Sequence, residues 1–284
     1  MSDLDLIKEL REKTGAGFLD CKNTLKENNN NIEKSIDSLR KKGLAKASKK
    51  SSREAKEGAV GFFSNDKISI ILKINSETDF SAKSDTFLDF LDLIGKIALK
   101  QNDKSLNLEN FLNIKYNDKS VSDLLKEMIA KIGENLIIND LKIFSNKELN
   151  VNFYIHNPYR KNIGKIVSAV FFYSDTKNEE ITTFSKNICM HIAASKPEAM
   201  DIDQLSSTVI ENEKKIQQEM IQDSGKPSNV MEKILKGKMK KYYSEVTLLN
   251  QNFVIDPDKT IKEAINDFNS LNKFDLKSYA LISL

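Results

Sequence analysis

Residues 58–81 read GAVGFFSNDKISIILKINSETDFS, and this stretch decides the fold. Apolar runs at Ala59–Phe63 and Ile68–Asn75 flank the turn-forming residues Ser64-Asn65-Asp66, which predicts a β-hairpin. Every second residue of the second run is Ile or Leu, so one face of that strand is expected to cover a core. The run leads into Thr78-Asp79-Phe80-Ser81, which would project an acid and an aromatic ring from a rigid strand end into a loop.

The residues before the hairpin have a helical period instead. Apolar residues recur at steps of three or four through residues 4–43, which predicts three short helices. Gly15-Ala16-Gly17 separates the first two helices, Asn28–Asn31 separates the second from the third, and Gly43 is expected to end the third in a left-handed cap. The basic stretch Lys46–Lys56 would then be a solvated helical linker. The three apolar stripes are Leu6 and Leu10; Phe18, Cys21 and Leu25; and Ile32, Ile36 and Leu39.

The residues after the hairpin predict a repeated pattern. A helix is expected next, followed by another at Val121–Ile132. Alternating apolar residues at Val151–Ile155, a strand at Ile163–Tyr173 and a helix at Ile181–Ala194 then repeat the order. Two strand-strand-helix halves predict a duplicated α+β core. The first of these helices carries its apolar stripe at Phe87, Phe90, Leu91, Ile94 and Ile97.

Two further helices, Thr208–Ile221 and Asn229–Tyr242, are predicted to run antiparallel and to be joined by Asp223–Pro227. Their sparse apolar positions indicate a protruding coiled-coil hairpin and not a core layer. The expected domains are residues 1–55, the N-terminal module with its basic linker; 56–145, the first half of the core; and 146–284, the second half, with the hairpin inserted at about 198–243. The facing positions would be Val209, Ile216 and Met220 on one helix and Val230, Ile234 and Met239 on the other.

Composition is that of a soluble globular protein, with 39% hydrophobic and 30% charged residues in 284. There is no run of about 18 apolar residues to span a membrane. The first residues lack the features of a signal or transit peptide, so a cytoplasmic location is expected. Cys21 and Cys189 are far apart and have no neighbours at metal-ligand spacing, so we expect two reduced, partly buried thiols and no metal site.

The chemistry-bearing residues argue against an enzyme. No Ser or Cys lies in a nucleophile elbow, and no glycine-rich loop is present to hold a phosphate, so no cofactor is expected. His191 lies on the apolar stripe of a predicted helix and is expected to be structural. His156 precedes Asn157-Pro158, where a turn would expose it either as a contact residue or as filler.

The segment Arg40–Glu57 is strongly basic, with eight basic and two acidic residues. Such a run is usually a solvated face, and the alternative is a nucleic-acid-binding protein that uses residues 40–56. No aromatic residues are interleaved for base stacking, and the helix Phe18–Glu27 would read a DNA groove poorly because acids oppose its lysines. The net charge of +3 is too balanced to predict nucleic-acid binding for the whole chain.

Taken together, the motifs of the chain resemble those of bacterial elongation factor Ts, the nucleotide-exchange factor of the GTPase elongation factor Tu. The resemblance covers nearly the whole chain, and the matching segments occur in the order of the family. They are Leu10-Arg11 with Thr14–Gly17, Asp20-Cys21-Lys22, Glu77–Phe80, Lys131–Asn135, His191–Ala194 with Lys196-Pro197, and Gln251–Val254 with Asp256-Pro257.

The resemblance implies a factor that binds GDP-bound and nucleotide-free elongation factor Tu and disturbs its Mg²⁺ and nucleotide site. GDP would then leave and GTP could bind. The matching residues Thr78, Asp79, Phe80 and Ser81 would dislocate the partner's Mg²⁺. Their local pattern also fits a plainer role, in which Thr78 or Asp79 caps a helix and Phe80 folds back into the core.

The resemblance also implies contacts with the GTPase outside this segment. The N-terminal bundle resembles a ubiquitin-associated-type three-helix module with an apolar patch, for which Phe18 and Leu19 are candidates unless either packs inside. Neither a membrane nor a specific nucleic acid is expected as a partner, and a homodimer or a 2:2 complex is left open. The implied contact residues are Arg11, Phe18, Leu19, His156, Val254 and Ile255.

Overall fold

The computed structural model describes residues 3–222 and 227–284, and it combines helices with antiparallel strands. The predicted α+β class is confirmed. The chain forms two compact units: one contains the residues up to Ser145 together with Asn157–Lys165 and Ser283–Leu284, and the other contains Asn146–His156 and Ile166–Ile282. Of the predicted connection Asp223–Pro227, only Pro227 lies within the described residues.

Three helices open the chain, and strands and helices are interspersed after them. The helices are α1 (Asp3–Thr14), α2 (Phe18–Glu27), α3 (Ile32–Lys50), α4 (Asp79–Lys83), α5 (Asp85–Gln101), α6 (Leu108–Leu112), α7 (Val121–Ile132), α8 (Glu179–Ser195), α9 (Ser207–Gln222), α10 (Ser228–Val246) and α11 (Ile261–Phe268). The strands are β1 (Glu57–Ser64), β2 (Ile68–Ser76), β3 (Lys115–Tyr116), β4 (Lys119–Ser120), β5 (Leu136–Ser145), β6 (Asn150–Arg160), β7 (Ile163–Tyr173), β8 (Asn252–Phe253), β9 (Asp256–Thr260) and β10 (Asp275–Ser283).

Helices α1 to α3 pack around a small core, and the breaks predicted between them are confirmed. Leu10, Cys21 and Leu25 are buried in that core. Phe18 is not, since 43% of its surface is exposed, so its predicted place on the buried stripe of α2 is wrong. Helix α2 begins at Phe18, so this residue lies in the first turn of the helix.

Helix α3 does not end at Gly43, as the sequence suggested, but continues to Lys50. Gly43 has an ordinary helical backbone, and a Cβ built on it would lie 2.8 Å from the Cβ of Ala130. The glycine therefore permits a close approach of α3 to α7. The predicted solvated linker is also wrong in its first part, because Ala47 is 2% exposed and belongs to the core of the first unit.

The sheet of the first unit is built on the predicted hairpin. β1 pairs antiparallel with β2, and β2 pairs antiparallel with β5. β1 also pairs with the start of β7 through Val60 and Gly164. The predicted stripe of α5 is buried against this sheet, which confirms it. Helix α7 has the predicted bounds because Ser120 caps its start and Gly133, at φ 88°, ends it in the left-handed region.

In the second unit, β7 pairs with both β6 and β10. Helix α8 packs into the hydrophobic core of this unit, which is separate from that of the first unit. Aromatic stacking is central to this core, with the rings of Phe184 and Phe268 4.1 Å apart between centroids. The turn predicted at Asn157-Pro158 is wrong, because β6 runs through it to Arg160. Among the described strands β6 pairs only with β7, and such an edge tolerates a proline, which donates no ladder hydrogen bond.

Helices α9 and α10 contact each other, and the predicted apolar positions of α9 are largely exposed. Val209, Ile216 and Met220 are 39%, 47% and 64% exposed. Between the helices lies a polar pair instead, in which the Lys238 ammonium donates to the Gln217 side-chain oxygen at 2.9 Å. Met239 of α10 is buried as predicted. The three predicted positions of α9 are therefore at most partly covered, whereas Ile221 of the same helix is buried.

Candidate functional site

The segment Thr78–Ser81, which we call the probe segment, begins a helix directly after β2. The sequence suggested a loop, but Thr78 is the N-cap of α4, and its hydroxyl oxygen accepts the Ser81 N–H at 3.2 Å. The alternative that Thr78 caps a helix is thus confirmed. Its second half is wrong, since Phe80 is 85% exposed and does not fold into the core.

The four residues of the probe segment have different environments. Phe80 is exposed in the first turn of α4 and Asp79 beside it is half-buried, whereas Ser81 is buried at 8% exposure. Thr78 holds the backbone of the turn through its cap. Phe80 is therefore the side chain that the segment presents most fully to solvent, with the Asp79 carboxylate partly exposed beside it. A ring this exposed gains nothing from burial in the free protein, so its burial is available for binding.

Asp79 forms an ion pair within α4. The Lys83 ammonium donates to its carboxylate at 2.7 Å, one turn along the helix. This hydrogen bond is the main cause that lowers the pKa of Asp79 and raises the pKa of Lys83. Asp79 is consequently an anion at neutral pH, and it stands beside the exposed ring of Phe80.

A second acid, Glu134, holds the start of the probe segment. Its carboxylate accepts the Thr78 backbone N–H at 3.0 Å and the Thr78 hydroxyl at 2.7 Å. Thr78 thus uses its hydroxyl proton on Glu134 and its hydroxyl oxygen on Ser81. Both hydrogen bonds to Glu134 involve a charged acceptor, which strengthens them relative to neutral ones.

The neighbouring residues form a reciprocal contact. The backbone N–H of Asn135 donates to the Glu77 carboxylate at 2.6 Å, and the Asn135 amide donates to the carbonyl of Arg53 at 2.7 Å. The Arg53 guanidinium in turn lies 3.6 Å from the Glu77 carboxylate. Residues 77–78 and 134–135 are therefore cross-linked by hydrogen bonds in both directions, and we call this arrangement the clamp.

The clamp gives a structural account of the segment Lys131–Asn135. Gly133 ends α7 with a positive φ of 88°, which turns the chain toward β5 and places Glu134 and Asn135 beside the end of β2. Sequence reasoning singled out this segment only for its resemblance. The sequence does contain a local signal for the contact. Glu77-Thr78 after β2 and Glu134-Asn135 before β5 each place an acid next to a polar residue, and these two strands are paired.

The three implied contact residues of the N-terminal bundle are all exposed. Leu19 is 70% exposed and Phe18 43%, so neither packs fully inside, and Arg11 is exposed on α1. Phe18 and Leu19 are consecutive in the first turn of α2, after the Gly17 cap. The bundle therefore presents two apolar side chains and a cation outward, within the same unit as the probe segment.

The other implied contact residues belong to the second unit. Val254 and Ile255 form the turn between β8 and β9, which we call the contact turn, and each is 50% exposed. His156 is exposed, as expected, although it lies within β6, where its Nδ1 is 3.3 Å from the Tyr154 hydroxyl. His191 is completely buried and hydrogen-bonded to Gln251 at 2.9 Å, which confirms its structural role.

Most cations of the basic segment 40–56 are engaged within the protein. Arg40 pairs with Glu127 at 2.8 Å and Lys42 pairs with Glu27 at 2.7 Å. The Lys50 ammonium donates to the Gly133 carbonyl at the end of α7. Lys56 pairs with Glu54, and Arg53 lies near Glu77 of the clamp. Through Arg40 and Lys50, this segment ties helix α3 to helix α7 of the core.

Within residues 3–222 and 227–284, no group of three or more His, Cys, Asp or Glu residues is arranged to hold a metal ion. Both cysteines are buried and unpaired, and burial raises the pKa of each thiol. No helix in this described part of the chain is long and apolar enough to cross a membrane.

Comparison with known proteins gives a consistent result. The family model described as elongation factor TS matches residues 77–283. The chain is 40% identical over 262 residues to elongation factor Ts of Allorhizobium ampelinum, which covers 92% of this chain and 85% of the relative. It is 41% identical over 264 residues to elongation factor Ts of Rhizobium etli, with the same shares covered.

These matches identify the chain as a translation elongation factor. The chain belongs to the elongation factor Ts family, the nucleotide-exchange factors of the GTPase elongation factor Tu. The nucleic-acid-binding alternative is not favoured by the matches. The engaged cations of the basic segment agree with that result.

Proposed function

We propose that this chain releases GDP from elongation factor Tu by placing the probe segment at the GTPase's Mg²⁺ and nucleotide site. The observation that carries the proposal is the 85% exposure of Phe80 on a helix start that the clamp holds in place. A flexible loop would lose conformational entropy when it docks, whereas a preordered turn loses little. The binding free energy is then available to distort the partner.

The energetics of this step are modest. An exchange factor binds the nucleotide-free partner better than the nucleotide-bound one, and by linkage the same factor weakens GDP. A tenfold weakening needs about 1.4 kcal/mol of such differential binding. Burial of one Phe side chain contributes about 1.5–3 kcal/mol, so Phe80 alone can supply a tenfold effect if it is buried only in the nucleotide-free complex. Asp79 enters the same site as an anion.

The remaining contact residues anchor the chain on the partner. Arg11, Phe18 and Leu19 grip from the N-terminal bundle, and the contact turn and His156 add contacts from the second unit. The exposure of each residue supports this role. Several anchors raise the effective concentration of the probe segment at its target, so the probe itself can bind weakly and still act.

The finer architecture belongs to the same proposal. Helices α1 to α3 form a ubiquitin-associated-like module, the core is a duplicated strand-strand-helix unit, and α9 with α10 is an inserted antiparallel coiled-coil hairpin. Residues 1–55, 56–145 and 146–284 act as N-terminal module, first core half and second core half. The protein works in the cytoplasm as a binding factor without catalytic residues or cofactor, and a homodimer or a 2:2 complex with the GTPase stays open.

The test is release of fluorescently labelled GDP from elongation factor Tu, followed by stopped flow with and without the full chain. The chain should accelerate release in a saturable manner. No acceleration at saturating concentration would contradict the proposal. A parallel salt titration against random single-stranded RNA separates the alternative, because a phosphate-binding protein loses affinity linearly in the logarithm of salt concentration.

A further inference from the structure

Two segments that the sequence singled out, His191–Ala194 and Gln251–Val254, are joined by hydrogen bonds inside the second unit. The Nε2 atom of His191 lies 2.9 Å from the Gln251 side-chain oxygen. The backbone N–H of Val254 donates to Nδ1 of the same ring at 3.3 Å. Through the second of these hydrogen bonds, His191 connects helix α8 to the contact turn.

The hydrogen bonds determine where the proton of the imidazole lies. Nδ1 accepts from Val254, so it carries no proton, and the neutral ring must be protonated at Nε2. Nε2 then donates to the Gln251 oxygen. The Gln251 amide nitrogen donates to the Glu245 carbonyl at 2.7 Å and to the Ser195 carbonyl at 3.3 Å, which fixes the direction of this side chain.

The surroundings of the ring are buried and uncharged. His191 has no exposed surface, and the Phe253 ring lies edge-on with centroids 5.9 Å apart. Within the described residues, burial and the Gln251 hydrogen bond are the causes that act on its pKa, and burial, the larger, lowers it. The ring contacts are thus the Gln251 amide, the Val254 backbone and the Phe253 ring, none of which titrates.

We propose that His191 is a positioning residue that holds the contact turn in its binding geometry through the Val254 N–H. The inference rests on the proposed function, because it assumes that Val254 and Ile255 touch elongation factor Tu. Both side chains are half exposed at the tip of a short two-stranded hairpin whose Phe253 is buried, so the tip itself lies outside the core. A hydrogen bond from the buried ring to this turn restricts its conformations before docking.

Two substitutions of similar size separate positioning from packing. In His191→Asn the side-chain oxygen replaces Nδ1 as acceptor, whereas in His191→Gln the longer amide replaces Nε2 and leaves Val254 without its acceptor. Both remove the ring and should lower stability similarly. The affinity of each folded full-length variant for elongation factor Tu is measured, together with hydrogen exchange of the Val254 amide.

We expect His191→Gln to weaken binding about fivefold, the equivalent of one hydrogen bond, and to speed exchange of the Val254 amide. His191→Asn should bind within about twofold of the unmodified protein and keep that amide protected. Equal affinities in the two variants would overturn the positioning role, because loss of packing affects both alike.

Substitution of Val254 and Ile255 by Ala in the otherwise unmodified chain tests the proposed contact itself. If this variant bound elongation factor Tu with unchanged affinity, the contact turn would not touch the partner, and His191 would have no role in binding. Should the His191 variants fail to fold, nitrogen-15 NMR of the unmodified protein decides the tautomer. A proton on Nδ1 would overturn the inference.

Discussion

The carboxylate of Glu134 accepts hydrogen bonds from both the backbone N–H and the hydroxyl of Thr78, at 3.0 and 2.7 Å. The exposed ring of Phe80 has almost no packing of its own, so its direction depends on the backbone of α4. The two hydrogen bonds from Thr78 to Glu134 hold that backbone at the start of the helix. The clamp therefore links Glu134, which lies outside the probe segment, to the geometry of the proposed probe.

The first prediction concerns Glu134. Glu134→Ala removes both acceptors and should slow GDP release about fivefold or more, with a stability loss of about 1–2 kcal/mol, because the bonds are partly exposed. Glu134→Gln keeps one carbonyl acceptor and should be intermediate. Stopped-flow GDP release and urea unfolding on the same preparations measure both quantities. Unchanged release by Glu134→Ala would show that the clamp is structural only.

The second prediction concerns Phe80. Phe80→Ala should slow GDP release about tenfold or more, because the ring is buried only in the complex. The free protein should lose less than about 0.5 kcal/mol, since an exposed side chain has little packing to lose. Leu271→Ala is the matched control, because Leu271 is an equally exposed apolar residue at 89% and lies outside the proposed site. If elongation factor Tu released GDP at the normal rate with both variants, Phe80 would not be the probe.

The third prediction tests the close approach of α3 to α7. Gly43→Ala places a methyl group 2.8 Å from the Ala130 Cβ and should destabilise the protein by about 1–3 kcal/mol. Gly237→Ala lies in open space within α10 and should stabilise by about 0.5–1 kcal/mol through helix propensity. Chemical unfolding measures both. Ala130→Gly should recover part of the Gly43→Ala loss, and the absence of any recovery would argue against the contact.

The fourth prediction concerns pH. Burial lowers the pKa of His191 below its unfolded value of about 6.5, so the unfolded state takes up the proton first. The contribution of His191 is complete above pH about 6.5 and declines as the pH falls toward the folded pKa, by at most about 1.4 kcal/mol per pH unit. Unfolding free energies at several pH values measure this slope. His191→Asn should flatten it, and an unchanged slope would assign the effect to another group.

Much of the fold could be predicted because its local signals agree with each other. Alternation in β2 and the 3.6-residue period in α5 pointed to buried faces that the structure confirms. The bounds of α7 followed from its apolar pattern and the glycine beyond it. In the two helices the pattern of one element determined which side was buried, so no knowledge of the packing partner was needed. In β2 the alternation found only one of two buried faces, because Ser69, Ile71 and Asn75 on the other face are buried as well.

The errors arose where a distant partner decided the outcome. Gly43 has the sequence appearance of a helix end, yet its role depends on Ala130, 87 positions away along the chain. Val209, Ile216 and Met220 have the spacing of a buried stripe, but Gln217 and Lys238 occupy the seam by pairing with each other. Phe18 begins α2 on the exposed side, which the period of so short a helix did not distinguish.

The candidate site was predictable in part. Thr78–Ser81 was found by resemblance, and the local pattern indicated the cap that Thr78 makes. The clamp was missed because it joins residues 56 positions apart, through a pairing of β2 with β5 that the sequence did not reveal. Whether Asp79 and Phe80 act on the partner stays a prediction.

The continuity of α3 through Gly43 has a mechanical consequence. With 19 residues, α3 is about 28 Å long, and one unbroken helix joins Leu39 in the core of the N-terminal bundle to Ala47 in the core of the first unit. Insertion of one residue after Gly43 would turn the following part of the helix by about 100° and shift it by about 1.5 Å. The packing of Leu39 in the bundle and of Ala47 in the core could then not both be kept. Such an insertion would therefore disturb the bundle that carries Phe18 and Leu19 although neither side chain was changed.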